Sequence, residues 1–598
     1  MRTKALLSRA KALLLCTKAL LSRAKALLFC TCPLLICTPI FFFVTPFFSA
    51  FSFLVSGKSS TFVVVNIERP LPVERIPEIN KKKIESAVKN MSHRSFGKTF
   101  LAWGVAVAGL LVLFVFFQFF YRGHLCHREQ FSLFLWAAEP LRAYWLAPAP
   151  LAKLTGDFLT QFLGLSVAGP LIMAVVLTAL GVLWYKLTAG IKFRKVTVFR
   201  TKNSARQMGK GEIRQLGLWS LIPAVLLVCV ETGRQCGLTY PLSSTLQLVG
   251  ILTTLLVVRR QKSLVAVLAI LAAGVWLFGW GDWEKRAVVT PEMNVERMLA
   301  IDNDWYHGRL ARMQQRLDKQ SARPDRFSSY YQNLLLTTQY RMGDELMHYY
   351  QPFQLGLFLP VSATTSYPLV YMSGEMWFQL GDLTNAEHSV LLGMLFSPNS
   401  VGSRPLMRLA EISLIRGDEA AAMKYLRVLE KTLFYRRWAR MHMPAERPKG
   451  LLRWVDMKRM LTVTTDTVRT PMDIDTSLRH LLNNNPDNVF ARDYLLSYDL
   501  LDKDVDGFVR DYDRYLPGQA VVQRTWAEAM LIWLVAHNRP DEEVAARGIS
   551  PTVVNDFRAY NELYKSAEQT GFSSNYRRLQ ETFGKTYWFF YHFAQIRQ

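Results

Sequence analysis

Apolar positions follow two regimes along the chain. Up to residue 281 they form long unbroken runs; from Pro291 onward they recur at helical spacing among charged residues, with little strand-like alternation. Five runs have the length and apolarity of membrane-spanning helices: Thr99–Tyr121, Phe162–Tyr185, Leu216–Glu231, Tyr240–Val258 and Ser263–Trp280. The third is short and carries Pro223. A sixth candidate, Phe29–Val55, is interrupted by Pro33, Pro39 and Pro46, and proline costs roughly 3 kcal/mol in a helix interior. The pattern predicts an all-α protein. A five-helix (with Phe29–Val55, six-helix) transmembrane region over residues 91–281 precedes a helical half over residues 282–598.

Charge changes the picture by its distribution. Of the net +25, residues 1–90 supply +10, residues 91–281 supply +14, and the remainder only +1. The excess lies beside the apolar runs, where topology signals sit, and the second half lacks the basic footprint of a nucleic-acid binder. The loop holding Lys186, Lys192, Arg194, Lys195, Arg200, Lys202, Arg206, Lys210 and Arg214 against Glu212 marks a cytoplasmic side. The turn with Arg259, Arg260 and Lys262 falls on that side too when the first span runs outward. Five spans then place the N-terminus inside and residues 282–598 outside, in the periplasm of a bacterial inner membrane. All seven cysteines precede the helical half, which therefore holds no disulfide and no thiolate metal site.

The segment 1–90 fits this topology poorly, because basic clusters flank Phe29–Val55 on both sides. It also repeats twelve residues without change, Thr3–Leu14 and Thr17–Leu28. Perfect identity is the mark of a recent DNA duplication, and the repeat has no clean amphipathic face. Residues 1–90 read as an over-extended or disordered segment, with Met91 as the biological start. The competing reading is an acid-poor targeting presequence, since no acid precedes Glu68.

After the first span comes "YRGHLCHREQFSLFLWAAEPLRAYWL". His124, Cys126, His127 and Glu129 form an incomplete metal set, so Tyr121, Arg122 and the histidines read as a cap meeting lipid headgroups. The aromatic stretch Phe131–Leu146 reads as a helix lying in the interface or re-entering the membrane. Polytopic glycosyltransferases that use lipid-linked sugars place acids in such a loop; by that architectural resemblance Glu129 and Asp157 are candidate catalytic residues.

In the second half, "YMSGEMWFQLGDLTNAEHSVLLGMLFSP" and "MRLAEISLIRGDEAAAMKYLRVLEKTLF" repeat at a spacing of 36, with Glu375, Gly381, Asp382 and Ala386 recurring as Glu411, Gly417, Asp418 and Ala422. This pattern resembles tetratricopeptide repeats, which implies an α-solenoid of helix pairs. Asp502, Asp504, Asp506, Gly507 and Asp513 fit the outline of a calcium loop, although the last ligand is Asp rather than the longer Glu; a polar turn between helices is the plainer reading. Asp302, Asp304 and His307 in "IDNDWYH" read as a helix N-cap. "YWFFYHF", Tyr587 to Phe593, reads as a terminal helix over the apolar end of the array. The layout from Met91 onward is similar to an uncharacterised group of polytopic envelope membrane proteins of Bacteroidetes-type bacteria, which share an outer loop like His127–Gln130. That resemblance implies no activity and no cofactor. The expected function is a membrane-held scaffold for protein partners in envelope assembly, in contact with membrane lipid and not with nucleic acid.

Overall fold

The computed structural model describes residues 103–189, 221–279, 291–320, 323–463, 473–518, 521–570 and 572–595. The duplicated segment, Phe29–Val55, Met91 and the basic stretch from Lys192 to Arg214 lie outside the described residues. Every regular element among the described residues is helical. Contacts divide the chain into Met1–Val112 and Leu113–Gln598. The former is described only from Trp103, in α1 (Trp103–Phe120), whose end Phe116–Phe120 is a π-helical turn.

The second unit opens with α2 (Arg122–Gln130), α3 (Ala138–Leu146), α4 (Pro150–Thr160), α5 (Ala168–Ala189), α6 (Leu221–Gln235), α7 (Leu242–Val258) and α8 (Leu264–Phe278). α7 packs against α4, α5 and α8, while α6 lies on α5. The expectation of five spanning helices is supported only in part. Among the described residues, two helices are long and apolar enough to cross a membrane, α1 and the Ala168–Thr188 stretch of α5. At 1.5 Å per residue, α7 and α8 reach only about 26 and about 23 Å, against a hydrocarbon core of about 30 Å. The third expected run is described only from Leu221, and its C-terminal end is an internal polar knot. There Glu231 is fully buried and accepts hydrogen bonds from the Tyr240 and Thr245 hydroxyls (3.0 Å each) and from Arg234 (2.5 Å).

The remaining helices form hairpins. The first elements are α9 (Met293–Tyr306) and α10 (Arg326–Thr338), followed by the pairs α11 (Tyr367–Leu380) with α12 (Leu383–Phe396) and α13 (Ser403–Arg416) with α14 (Glu419–Glu430). Gly381 ends α11 at φ +96°, which a side chain would resist, and lets the Asp382 N–H reach back to the Trp377 carbonyl at 2.9 Å. The Asp382 carboxylate then accepts from the Asn385 N–H at 3.0 Å and starts α12. Gly417 and Asp418 repeat the device between α13 and α14: φ is +84°, the Asp418 N–H meets the Ser413 carbonyl at 2.9 Å, and the cap donor is the Ala421 N–H. Two segments 36 residues apart in sequence thus fold into hairpins of one design.

Later come α15 (Val489–Leu501), α16 (Val505–Tyr515), α17 (Arg524–Ala536), α18 (Pro551–Thr570) and α19 (Tyr587–Phe593). One apolar core runs from Leu299 in α9 to Trp588 in α19. Its far end is closed by α19, as the aromatic pattern predicts. Tyr587 and Trp588 are wholly buried, the Tyr587 N–H donates to the Glu528 carboxylate at 2.7 Å, and the Trp588 indole N–H donates to the Glu528 carbonyl at 2.8 Å.

Candidate functional site

The site grows from α2. Its first N–H groups have no partners within the helix, and Glu296 of α9 supplies them: the Gly123 and His124 N–H groups donate to its two carboxylate oxygens at 2.6 and 2.7 Å. Only glycine fits at 123, since a Cβ there would stand 2.7 Å from the Ala300 backbone nitrogen. From Gly123 to Gln130 every residue is buried. The expected headgroup-facing cap is therefore corrected: Tyr121, His124 and His127 lie inside the protein, and burial lowers both histidine pKa values, that of His124 to about 3.

The four residues His127–Gln130 each grip a different element. His127 Nε2 lies 3.2 Å from the Tyr367 hydroxyl at the start of α11. Arg128 donates to the Gln235 side chain at 2.7 Å, at the end of α6. Glu129 accepts from the Tyr435 hydroxyl at 2.7 Å, just after α14. Gln130 donates to Asn303 of α9 at 2.9 Å and accepts from Arg404 of α13 at 3.2 Å. A helix that joins apolar α1 to the following loop is thus keyed into the helical half.

Beyond Gln130 lies a buried charge network. Arg404, with no solvent exposure, donates to both oxygens of Asp302 (2.5 and 2.9 Å) and to Glu375 (2.8 Å). Tyr331 donates to Asp302 at 2.6 Å, Trp305 to Glu375 at 3.1 Å, and Arg408 bridges Glu375 and Glu411 at 2.9 Å each. The Arg404 guanidinium also lies over the rings of Tyr306 and Tyr371, at 4.3 and 4.7 Å. Burial alone would raise the Glu375 pKa; Arg408 and Arg404 outweigh it and hold the carboxyl at about 2. Glu375 and Glu411, paired by the repeat, are thus both ligands of Arg408. Asp302 and Asp304 sit in the last turns of α9, which corrects the N-cap expectation; Asp304 is paired with Arg309 and Arg316 at 2.7 Å each.

The candidate catalytic acids have separate partners. Asp157 accepts from Tyr144 at 2.9 Å. Glu129 borders a cavity of about 10 Å³ with Gln161, Thr432 and Tyr435, room for a single water. Burial pushes the Glu129 pKa up to about 7, and the Tyr435 bond only partly opposes this. The carboxylates of the calcium-loop pattern are dispersed. Asp502 meets the Gln354 side chain, Asp504 caps α16 through the Gly507 N–H at 2.8 Å, Asp506 accepts from Trp533 at 2.9 Å, and Asp513 pairs with Arg547 at 2.7 Å. Among the described residues no group of three or more His, Cys, Asp or Glu could hold a metal ion.

A family model described as a family of unknown function (DUF6057) matches residues 96–290 and 280–594. The chain belongs to the DUF6057 family. No curated protein and no solved structure matches it. The first matched stretch of this DUF6057 chain holds α2, and the second holds Glu296, Asp302, Glu375, Arg404 and Tyr435, so the connector joins the two.

Three buried carboxyls of this DUF6057 chain make a pH prediction. Glu129, Glu296 and Glu528 are each raised by burial to about 7, above the ordinary value of 4.5. Between those values these carboxyls bind more protons in the folded state than in the unfolded one, so their contribution to stability falls as pH rises and levels off beyond about 7, while the buried His124 and His127, lowered by burial, contribute in the opposite sense below about 6.5. The comparison that isolates one carboxyl is Glu129→Gln, which keeps the acceptor for Tyr435: in thermal unfolding in detergent the variant's midpoint is expected to gain on the parent's between pH 5 and pH 8. A difference between variant and parent that does not change with pH would contradict the assignment.

Proposed function

We propose that this DUF6057 chain is a membrane-anchored scaffold that holds a helical-repeat surface in a fixed position for protein partners. The carrying observation is the burial of α2 within the helical half, which removes the hinge that a flexible linker would leave between apolar helices and hairpins. The two like hairpins support an α-solenoid of tetratricopeptide type, and such arrays present extended binding surfaces. Leu391, Leu395 and Phe396 on α12 are exposed apolar side chains of the kind partner surfaces use. In this reading the protein sits in the inner membrane of a bacterium, with a multi-pass apolar region, the N-terminus inside and residues 282–598 in the periplasm, where it serves cell-envelope assembly.

One observation favours a second reading, an enzyme acting on lipid-linked sugars. Glu129, at a pKa of about 7 beside a water-sized cavity, has the poise of a general base. Photo-cross-linkers at Leu395 and Met457 in cells, run beside complementation by Glu129→Gln and Asp157→Asn, separate the two. Discrete protein adducts with both variants active are expected. Absence of protein adducts, with both variants inserted but inactive, would overturn the scaffold in favour of the enzyme.

A further inference from the structure

We infer that Lys431–Met441, a segment of the helical half, lies in the bilayer–water interface and binds anionic lipid headgroups. The inference rests on the membrane-anchored reading above and adds a second point of lipid contact, far from the spanning helices in sequence.

The level of the interface is marked by aromatic rings. Trp145 of α3 stacks on Trp276 in the last turns of α8, with ring centroids 6.0 Å apart, and both are about half exposed. Trp136 meets Phe158 edge to face at 5.7 Å, and Phe158 meets Phe162 at 5.3 Å, six residues before α5 begins. Half-exposed tryptophans at the ends of apolar helices form the belt that membrane proteins set at headgroup depth. Beside them Leu146 is 91 % exposed.

The helical half meets this belt through Lys431 and Phe434. The Trp136 N–H donates to the Lys431 carbonyl at 2.8 Å, and the Phe434 ring packs edge to face on Phe162 at 5.3 Å. Leu433, Phe434 and Met441 are exposed there, between 39 and 45 %. Around them stand Lys431, Arg436, Arg437 and Arg440, all exposed, with no acid until Glu446. Glu430 orients two of these: its carboxylate takes Arg440 and its carbonyl takes Arg436, both at 3.0 Å. The eleven residues carry four cations and no acid, in a half whose net charge is +1. Apolar side chains level with a tryptophan belt, ringed by arginine and lysine, complement acyl chains and phosphate together. A protein partner would have to meet this patch across headgroups.

The test uses the full chain in vesicles of phosphatidylcholine alone, or mixed with phosphatidylglycerol, each doped with a photoactivatable lipid, and maps adducts by peptide mass spectrometry. Adducts are expected on α1 and α5, the two helices long enough to span, and on Leu433–Phe434. The last should rise severalfold with phosphatidylglycerol, a rise that Arg436→Gln/Arg437→Gln abolishes while adducts on the apolar helices persist. Adducts on the apolar helices without any on 431–441 would overturn this inference alone. Lipid adducts nowhere would overturn the membrane reading as well. Intermolecular protein adducts at 431–441 in place of lipid would overturn it in favour of a protein interface.

Discussion

Arg404→Met is expected to destabilise the helical half by about 3–5 kcal/mol, the cost of leaving a buried charge partner uncompensated. Methionine keeps much of the volume and removes the guanidinium. Asp302 then retains the Tyr331 hydroxyl but has lost its cation, while Glu375 keeps Arg408 and Trp305. The damage therefore falls mainly on Asp302. Adding Asp302→Asn to Arg404→Met should recover a substantial part of the loss, because a neutral amide at that position no longer demands a counter-charge. Limited proteolysis and thermal unfolding of the purified protein measure both variants. A single variant as stable as the parent, or a double variant worse than the single, would show that the network is not the tie described. The same substitution should also loosen α2, since Gln130 bonds to Arg404, and cleavage should appear first in the loop after Gln130.

What the sequence revealed divides by the range of the interaction. The α11–α12 turn was legible because Gly381 and Asp382 act on their own backbone neighbours, and the 36-residue recurrence placed the second turn. The equivalent turn between α15 and α16 was less so: Lys503, at φ 63°, stands where glycine would have announced it. A run of acids around it resembled a metal loop, yet Asp504 is a helix cap and Asp513 an ion-pair partner of Arg547. Apolar runs gave the positions of the N-terminal helices but overstated their lengths: α7 and α8 come out at 17 and 15 residues, because composition does not fix where a helix begins and ends. Glu231 was the available signal, an acid at the end of such a run that needs partners.

The central network was hidden for a related reason. Asp302, Glu375 and Arg404 lie up to 102 positions apart, and nothing local distinguishes a buried arginine from a surface one. Glu375 was noticed through the repeat, as the partner of Glu411. The residue that joins them, Arg408, lies three before Glu411 and draws no attention in the sequence. The connector was visible as an unusual polar stretch, His127–Gln130, after an apolar helix. Chemistry and headgroups were the obvious explanations. Interlocking is the third, and it accounts for all four side chains at once because each has its own partner on a different element.

Removal of the chain after Gly584 is expected to abolish stable folding of the distal hairpins. α19 looks like a dispensable tail by position, but it closes the end of the continuous core. Tyr587 and Trp588 have no solvent exposure, and losing one such aromatic side chain costs about 3–5 kcal/mol. The truncation also strips the Glu528 carboxylate on α17 of the Tyr587 N–H and leaves it only the Arg524 guanidinium 3.0 Å away. Trp588→Ala should show the single-residue part of the effect, about 3–5 kcal/mol. Tyr591→Ala, at a half-buried position on the same helix, should cost well under that. Hydrogen exchange across α15 to α18 is the measurement, because a capping role predicts lost protection that is strongest in α17 and α18 and fades toward α11. Unchanged protection after truncation would mean that the array closes without its last helix, and the burial of Tyr587 and Trp588 would then be a consequence of docking rather than a condition of folding.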